Sequence, residues 1–567
     1  MLAVHAAVLL GAHAILRRAA TGNGAIDLVL FLLLRFAILS AAVLLAGWTG
    51  LLRPLPLGIA GLAALGGLIL LGEHRAIRRP ALPDFGRILP LLAAVVLLRL
   101  LVQVWFFAPY TMDALSYHLT KVPEWVRAGG FTREMGVDTH APFPAGFELV
   151  ETAWVVFLHH DVLIEMAGVE FLALGAAATF ALARSAGLSD RSAFFAALLY
   201  VLTPGVHVSA TSCLNDVPVA ALVLAAAALL AARAPHAWAL LAFGLGIGIK
   251  PTFGYALPGL LLLGLLVRKK PPLEARGPRW AAGLAALGLA VGLSWYLRNL
   301  AWYGNPIHPV GTKGLINSLG YVQIQFGPSF SSGYRNLIGL IANRVYDDHI
   351  GYASHLTHTS GWGSVGFACG FLALLVALRQ EPRFRPLFLG LTGSLLGVLF
   401  LVNHDPWCAR FVLFYPALLS IAVAWVAERL RPVLWVAGAA LAYQFLATHF
   451  PLDLPFPHAR TLAGMGWRQR SMARVFQAES KEPAIAYYVR EPVHNRGESY
   501  LLYGPDYSRR VVYLRGSTAD QVAAEMERDG VRRLYSARRN PPGDPVLADS
   551  LRRKLLEWPG GRFFVRP

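Results

Sequence analysis

The sequence is poor in charge and in cysteine. Only 15% of its 567 residues are charged, against about a quarter in ordinary soluble domains. A purely water-soluble enzyme is therefore excluded. The three cysteines, Cys213, Cys369 and Cys408, are too scattered for a disulfide framework or a cysteine zinc site. Acid is scarce as well: 33 Asp and Glu against 51 Lys and Arg, a formal charge of +18. In a soluble chain that excess would point to nucleic acid. Here the basic residues gather in short loops between apolar runs and in the C-terminal segment, which points to a bilayer instead and sets nucleic acid aside. No glycine-rich nucleotide fingerprint and no internal repeat is present.

Long apolar runs are plentiful. They fall near 2–16, 26–46, 55–72, 88–107, 162–183, 192–211, 217–232, 237–249, 253–267, 280–297, 362–378, 386–402, 411–427 and 432–449. The expectation is an all-α polytopic membrane protein of about 14 transmembrane helices. The first run lacks a basic start and a clear cleavage site and is read as a retained helix. One set of alternate loops holds most of the loop cations, from Arg17 and Arg18 to Arg429 and Arg431. The short loops of the other set hold only Arg53, Lys250 and Arg410. The positive-inside rule assigns the first set to the cytoplasm.

Three longer stretches then face the opposite side: the loops 108–160 and 298–361, and everything after about 450. Loops of this length on a compact protein usually carry function. In the first, Ala114–Ala128 and Ala145–Leu158 have the apolar spacing of interfacial helices. The tail alternates as strand Ser499–Tyr503, strand Arg510–Leu514, helix Thr518–Gly530, strand Arg532–Ser536, helix Pro545–Trp558 and strand Arg562–Val565. The expected division is 1–87 as additional N-terminal helices, 88–450 as a transmembrane core and 451–567 as a small α/β domain outside the cytoplasm.

Ionisable residues at the outer helix ends are the candidate site. Asp113 lies just past the run 88–107, and Asp216 lies in the short turn Thr211–Pro218. Each is equally well explained locally, Asp113 as a solvated helix-end carboxylate and Asp216 as a first-turn acid complementing the helix dipole. Intramembrane or interfacial charge is nonetheless functional by default. Lys250, Arg298 and Arg410 each end an apolar run on the outer side. Snorkelling anchors one reading of them; gripping an anionic headgroup is the other, with Arg suited to bidentate phosphate contact. Several histidines map to the same side, including His118, His140, His308 and His404, without the spacing of a zinc-protease helix. The candidate ligands for a divalent cation are His140, His404 and Asp405; no cofactor is otherwise called for.

The motifs Met-Asp-Ala-Leu-Ser-Tyr-His-Leu (112–119), Asn-Asp-Val-Pro (215–218), Gly-Ile-Lys-Pro-Thr (248–252), Leu-Arg-Asn (297–299), Tyr-Gly-Asn-Pro-Ile-His-Pro (303–309) and Ala-Arg-Phe (409–411) occur in that order. In order and placement the chain resembles the GT-C superfamily of membrane glycosyltransferases over roughly 88–430, in particular bacterial enzymes of the lipid A aminoarabinose transferase and protein O-mannosyltransferase type. The resemblance implies a sugar donor on a polyprenyl phosphate such as undecaprenyl phosphate. It implies transfer on the extracytoplasmic face of the bacterial inner membrane to a hydroxyl of an envelope glycan, lipid or protein, with inversion. Asp113 would be the general base or orient the acceptor, and Asp216 would support it. Lys250, Arg298 and Arg410 would hold the lipid phosphate, and Tyr117, His118, His140, Tyr303 and Asn305 would contact substrate. Asp113-Ala114-Leu115 departs from a tight pair of acids, which weakens an obligatory metal. Two rivals are a lipid or solute transporter or flippase, against which stands the lack of a two-halves repeat, and a lipid-binding assembly scaffold.

Overall fold

The computed structural model describes residues 1–77, 83–106, 109, 111, 113–133, 135–136, 138–269, 271–273, 278–313, 322–325, 330–342, 361–402, 408–447, 483–488, 499–504 and 506–536. The chain is a mostly helical polytopic membrane protein with a small C-terminal sheet. The N-terminal helices are α1 (Leu2–Ala19), α2 (Gly24–Trp48), α3 (Pro54–Leu70) and α4 (Ile88–Phe106). The first outer loop carries α5 (Lys121–Ala128) and α6 (Gly146–Val155). The core then runs through α7 (Met166–Ser185), α8 (Asp190–Val201), α9 (Pro204–Ser209), α10 (Asp216–Ala231), α11 (His236–Ile249), α12 (Leu257–Val267) and α13 (Pro278–Tyr303). After the second outer loop, with β1 (Val310–Lys313), β2 (Val322–Gln325) and α14 (Phe330–Ala342), come α15 (Ser364–Gln380), α16 (Phe384–Leu401), α17 (Tyr415–Arg429) and α18 (Arg431–Ala447).

Every apolar run carries a helix. Among the described residues six helices are long and apolar enough to cross a membrane: α1, α2, α4, α7, α13 from Trp280, and α16. The run 192–211 is interrupted, because Pro204 opens α9 and its ring cannot continue the hydrogen-bonding of α8. The helix α10 is apolar on all sides and is buried along almost its whole length, so it stands at the centre of the bundle. Small residues set the closest packing. A side chain on Gly292 of α13 would run into the Gly244 carbonyl of α11, and one on Gly259 of α12 would strike α16 at Gly390 and Ser394. Such glycines let helix backbones touch where lipid supplies no hydrophobic drive for association.

Two local features of the first outer loop differ from expectation. Ala114–Ala128 is not one helix but a π turn, Ala114–His118, followed by α5. The turn is closed by the Leu119 N–H donating to the Ala114 carbonyl at 2.9 Å. Pro123 explains the break: it has no N–H and is tolerated only in the first turn of a new helix. The helix α5 stops at Gly129, whose φ of 72° is left-handed. The second interfacial stretch is helical over Gly146–Val155, inside the expected bounds.

The tail sheet is parallel, with β3 (Ala484–Tyr488) between β4 (Arg510–Leu514) and β5 (Leu534–Ser536), and α19 (Ala519–Arg528) links the last two. Ser499–Tyr503, expected as a strand, is a 3-10 turn. That turn puts Tyr500 and Tyr503 on one side, three residues apart, where both are buried. The central strand β3 escaped the sequence reading because four of its five residues are buried, so it shows no alternation. The expected elements Pro545–Trp558 and Arg562–Val565 lie outside the described residues.

Candidate active site

Four charged side chains from four elements meet at one end of the bundle. Asp113 immediately precedes the π turn and is fully buried. Its Oδ2 accepts a hydrogen bond from Arg410 Nη2 at 2.8 Å. Arg410 lies in the 3-10 turn Cys408–Val412, 297 residues away along the chain. Its Nε is 3.6 Å from Oδ2 of Asp216, the first residue of α10. Oδ1 of Asp216 accepts from Lys250 Nζ at 2.7 Å. Lys250 follows α11 and is held there because Pro251 starts a new turn. The order Asp113, Arg410, Asp216, Lys250 thus alternates in sign and sums to zero, which is how buried charge is tolerated.

Phe411 lies beside both cations, with Lys250 Nζ 4.4 Å and Arg410 Cζ 5.2 Å from its ring centre. Lys250 is the member that reaches outward: its side chain is 20% exposed, whereas those of the other three are at most 8% exposed. Burial opposes the charge on Arg410, but Asp113 and Asp216 outweigh it and hold the guanidinium charged well above its usual range. Tyr117, on the π turn, is buried beside the same acids. Burial, and then the Asp113 charge, push its phenol well above the ordinary value, so it is a neutral donor.

The remaining sequence candidates have other partners. His118 Nδ1 lies 3.0 Å from Glu148 Oε1, which also accepts from Lys121 Nζ at 2.7 Å. This second cluster joins the π turn and α5 to α6. Burial by itself would raise Glu148; Lys121 and His118 overcome it and bring it to about 2. Burial lowers His118. His140 Nδ1 is 3.1 Å from Asp138 Oδ1, and its ring lies 5.5 Å from that of Tyr117, so it borders the first cluster.

Arg298 does not join the acids. Its guanidinium is stacked between Trp295 and Trp302, at 4.8 and 5.4 Å, and donates to the Pro142 carbonyl and to Asn299 Oδ1. It ties the end of α13 to the first outer loop. Tyr303 stacks on His308 at 4.1 Å with Arg133 over its ring. Asn305 closes its own turn, donating to the Val310 carbonyl at 2.9 Å and accepting from the Ile307 N–H at 3.0 Å. His404 and Asp405 lie outside the described residues. Among the described residues no three His, Cys, Asp or Glu side chains are grouped so as to hold a metal ion.

The sequence reading left out Lys121, Asp138 and Glu148. A lysine and a glutamate buried in two neighbouring amphipathic segments were the available signal, since buried charge calls for an opposite partner.

No family model matches the chain, and no curated protein matches it. Among solved structures it is similar to ArnT from Cupriavidus metallidurans in the apo state, with a TM-score of 0.42 and 17% identity over 61% of this chain and 60% of that one. It is also similar to the same protein bound to undecaprenyl phosphate, with a TM-score of 0.48 and 13% identity over 79% of this chain and 89% of that one. The chain therefore spans about three-fifths of the first structure's length.

Proposed function

We propose that the chain is a membrane glycosyltransferase that moves a sugar from a polyprenyl-phosphate carrier to an acceptor hydroxyl on the extracytoplasmic side of the bacterial inner membrane. The observation that carries the reading is the buried chain Asp113–Arg410–Asp216–Lys250 at the ends of apolar helices. A lipid-linked donor suits such a placement: its prenyl chain stays among the helices while its phosphate meets the cations. Lys250, the most exposed of the four, makes the first contact with that phosphate, and Arg410 lies behind it.

The reaction is a single displacement with inversion. The acceptor oxygen bonds to the anomeric carbon as the bond from that carbon to the phosphate oxygen breaks. The electron pair leaves with the phosphate, whose growing charge Lys250 and Arg410 stabilise; fixed cations of this kind are a major source of rate enhancement. The acceptor proton passes to Asp113, which Arg410 holds in one orientation. Asp216 keeps the two cations apart and in place. Tyr117 stands beside Asp113 as a neutral hydroxyl. The sugar and the acceptor are set by groups around this centre rather than by the four charges.

Purified protein in nanodiscs, given radiolabelled polyprenyl-phosphate sugar and an envelope acceptor extract, should transfer label. Asp113→Asn should abolish transfer while the protein keeps its elution volume and helicity. Full activity in that variant would remove Asp113 from the reaction, and substrate flux across proteoliposomes without transfer would make the protein a transporter.

A further inference from the structure

A helix ends in carbonyl groups that have no partner within the helix itself. At the end of α16 another element answers them. Asn336 of α14 is fully buried and donates from Nδ2 to the Leu399 carbonyl at 2.8 Å and to the Val402 carbonyl at 3.2 Å. Its own backbone carbonyl accepts a hydrogen bond from the Cys408 thiol at 3.3 Å. Cys408 opens the 3-10 turn that bears Arg410, and α14 packs against both that turn and α16. One residue thus joins the end of a membrane span to the turn that carries the guanidinium between Asp113 and Asp216.

The helix α14 is suited to such a place. Ser332, Gly333, Asn336, Gly339 and Leu340 are buried along one side, and a Cβ on Gly333 would run into the Phe400 ring of α16. Of the exposed residues, Tyr334, Leu337 and Ile338 form an apolar flank, and Ser331 and Arg335 a polar one. A packed side, an apolar flank and a polar flank are the pattern of a helix at the border of lipid and water. The turn that it holds has little latitude. Arg410 reaches Asp113 at 2.8 Å, so a shift of about 0.5 Å would take the contact outside the usual hydrogen-bond range. Both side chains are buried, and close packing leaves them little room to compensate.

We propose that Asn336 is a positioning residue for Arg410: by fastening both the end of α16 and the turn Cys408–Val412 to α14, it keeps the guanidinium between Asp113 and Asp216. The proposal rests on the functional reading only for what Arg410 does to the leaving phosphate; the placement of Arg410 is read without substrate.

Equilibrium unfolding of the full-length protein with D113N, R410Q and both together gives the coupling between those two side chains, and the same cycle is repeated in the Asn336→Ala background. The coupling should drop to less than about half of its wild-type value there. Unchanged coupling in a protein that is merely less stable would make Asn336 structural only and overturn the proposal. Should Asn336→Ala fail to fold, Cys408→Ala removes just the thiol that reaches its carbonyl and should weaken the coupling too, while Cys408→Ser, which keeps a donor, should stay near wild type. Equal coupling in wild type and both Cys408 variants would refute the link. In sugar transfer, Asn336→Ala should lower kcat by about 10- to 100-fold at unchanged KM, because Lys250 still meets the phosphate while Arg410 is displaced; a raised KM with unchanged kcat would count against it. Wild-type protein that transfers no sugar, with coupling that still falls in Asn336→Ala, would refute the functional reading and leave the positioning of Arg410 standing.

Discussion

Replacing Arg410 by Gln tests the central geometry most directly. In the native chain its guanidinium lies between Asp113 and Asp216, and all three side chains are at most 8% exposed. Without it Asp216 keeps Lys250 at 2.7 Å, but Asp113 loses the donor to its Oδ2. Removing one partner of a buried ion pair costs about 3–5 kcal/mol, and here the cost falls mainly on Asp113. Asp113→Asn by itself is milder, about 1–3 kcal/mol, because Arg410 still has Asp216 at 3.6 Å. In the double variant the uncompensated carboxylate is gone, so the two losses should fall short of their sum by about 1.5–3 kcal/mol. Equilibrium unfolding in mixed detergent micelles containing SDS, followed by circular dichroism, reads all four corners of this cycle. Losses that add to within about 0.5 kcal/mol would mean that Asp113 and Arg410 do not touch, and the site as described would be wrong.

Lys250→Met should lower kcat for sugar transfer by about 100- to 1,000-fold, because its role is to meet the leaving phosphate, and should destabilise the protein less than Arg410→Gln, because Asp216 keeps Arg410 at 3.6 Å; a change in KM alone would assign it to binding only. Glu148, held at about 2, stabilises the first outer loop fully above the ordinary carboxylate value of 4.5 and loses that contribution as pH falls through about 2. Acid unfolding of the wild type should therefore steepen between those limits, and Glu148→Gln should remove the steepening while destabilising the loop at neutral pH by leaving Lys121 buried without its carboxylate. Arg298→Lys should leave donor affinity unchanged but loosen the first outer loop, raising proteolysis near Pro142, since a lysine can neither span the two tryptophan faces nor keep both acceptors. Gly292→Leu should prevent α11 and α13 from closing and lower the yield of folded protein in detergent, as followed by gel filtration.

Periodicity and composition alone identified the helices of the bundle, because a bilayer demands long apolar segments and leaves a signal that survives without any partner. The same is true of charge position: Asp113, Asp216, Lys250 and Arg410 stand out as ionisable groups at apolar helix ends. What each of them touches was decided by folding. Arg298 follows one apolar run and Arg410 precedes another, both at the outer side, yet one stacks between tryptophans and the other joins two acids. The tryptophans lie on the helix that carries Arg298, three residues before it and four after, but the Pro142 carbonyl and the two acids come from elements more than a hundred positions away. The tail shows the same limit. Its strand β3 was invisible because burial on both faces erases alternation, and the tyrosines of Ser499–Tyr503 read as a strand because the loop that demands a 3-10 turn is remote in sequence. Local sequence determined which residues cannot face lipid or water at no cost; only the tertiary structure determined which opposite charge, carbonyl or aromatic face meets each of them, because those partners come together through packing and not through the order of the chain.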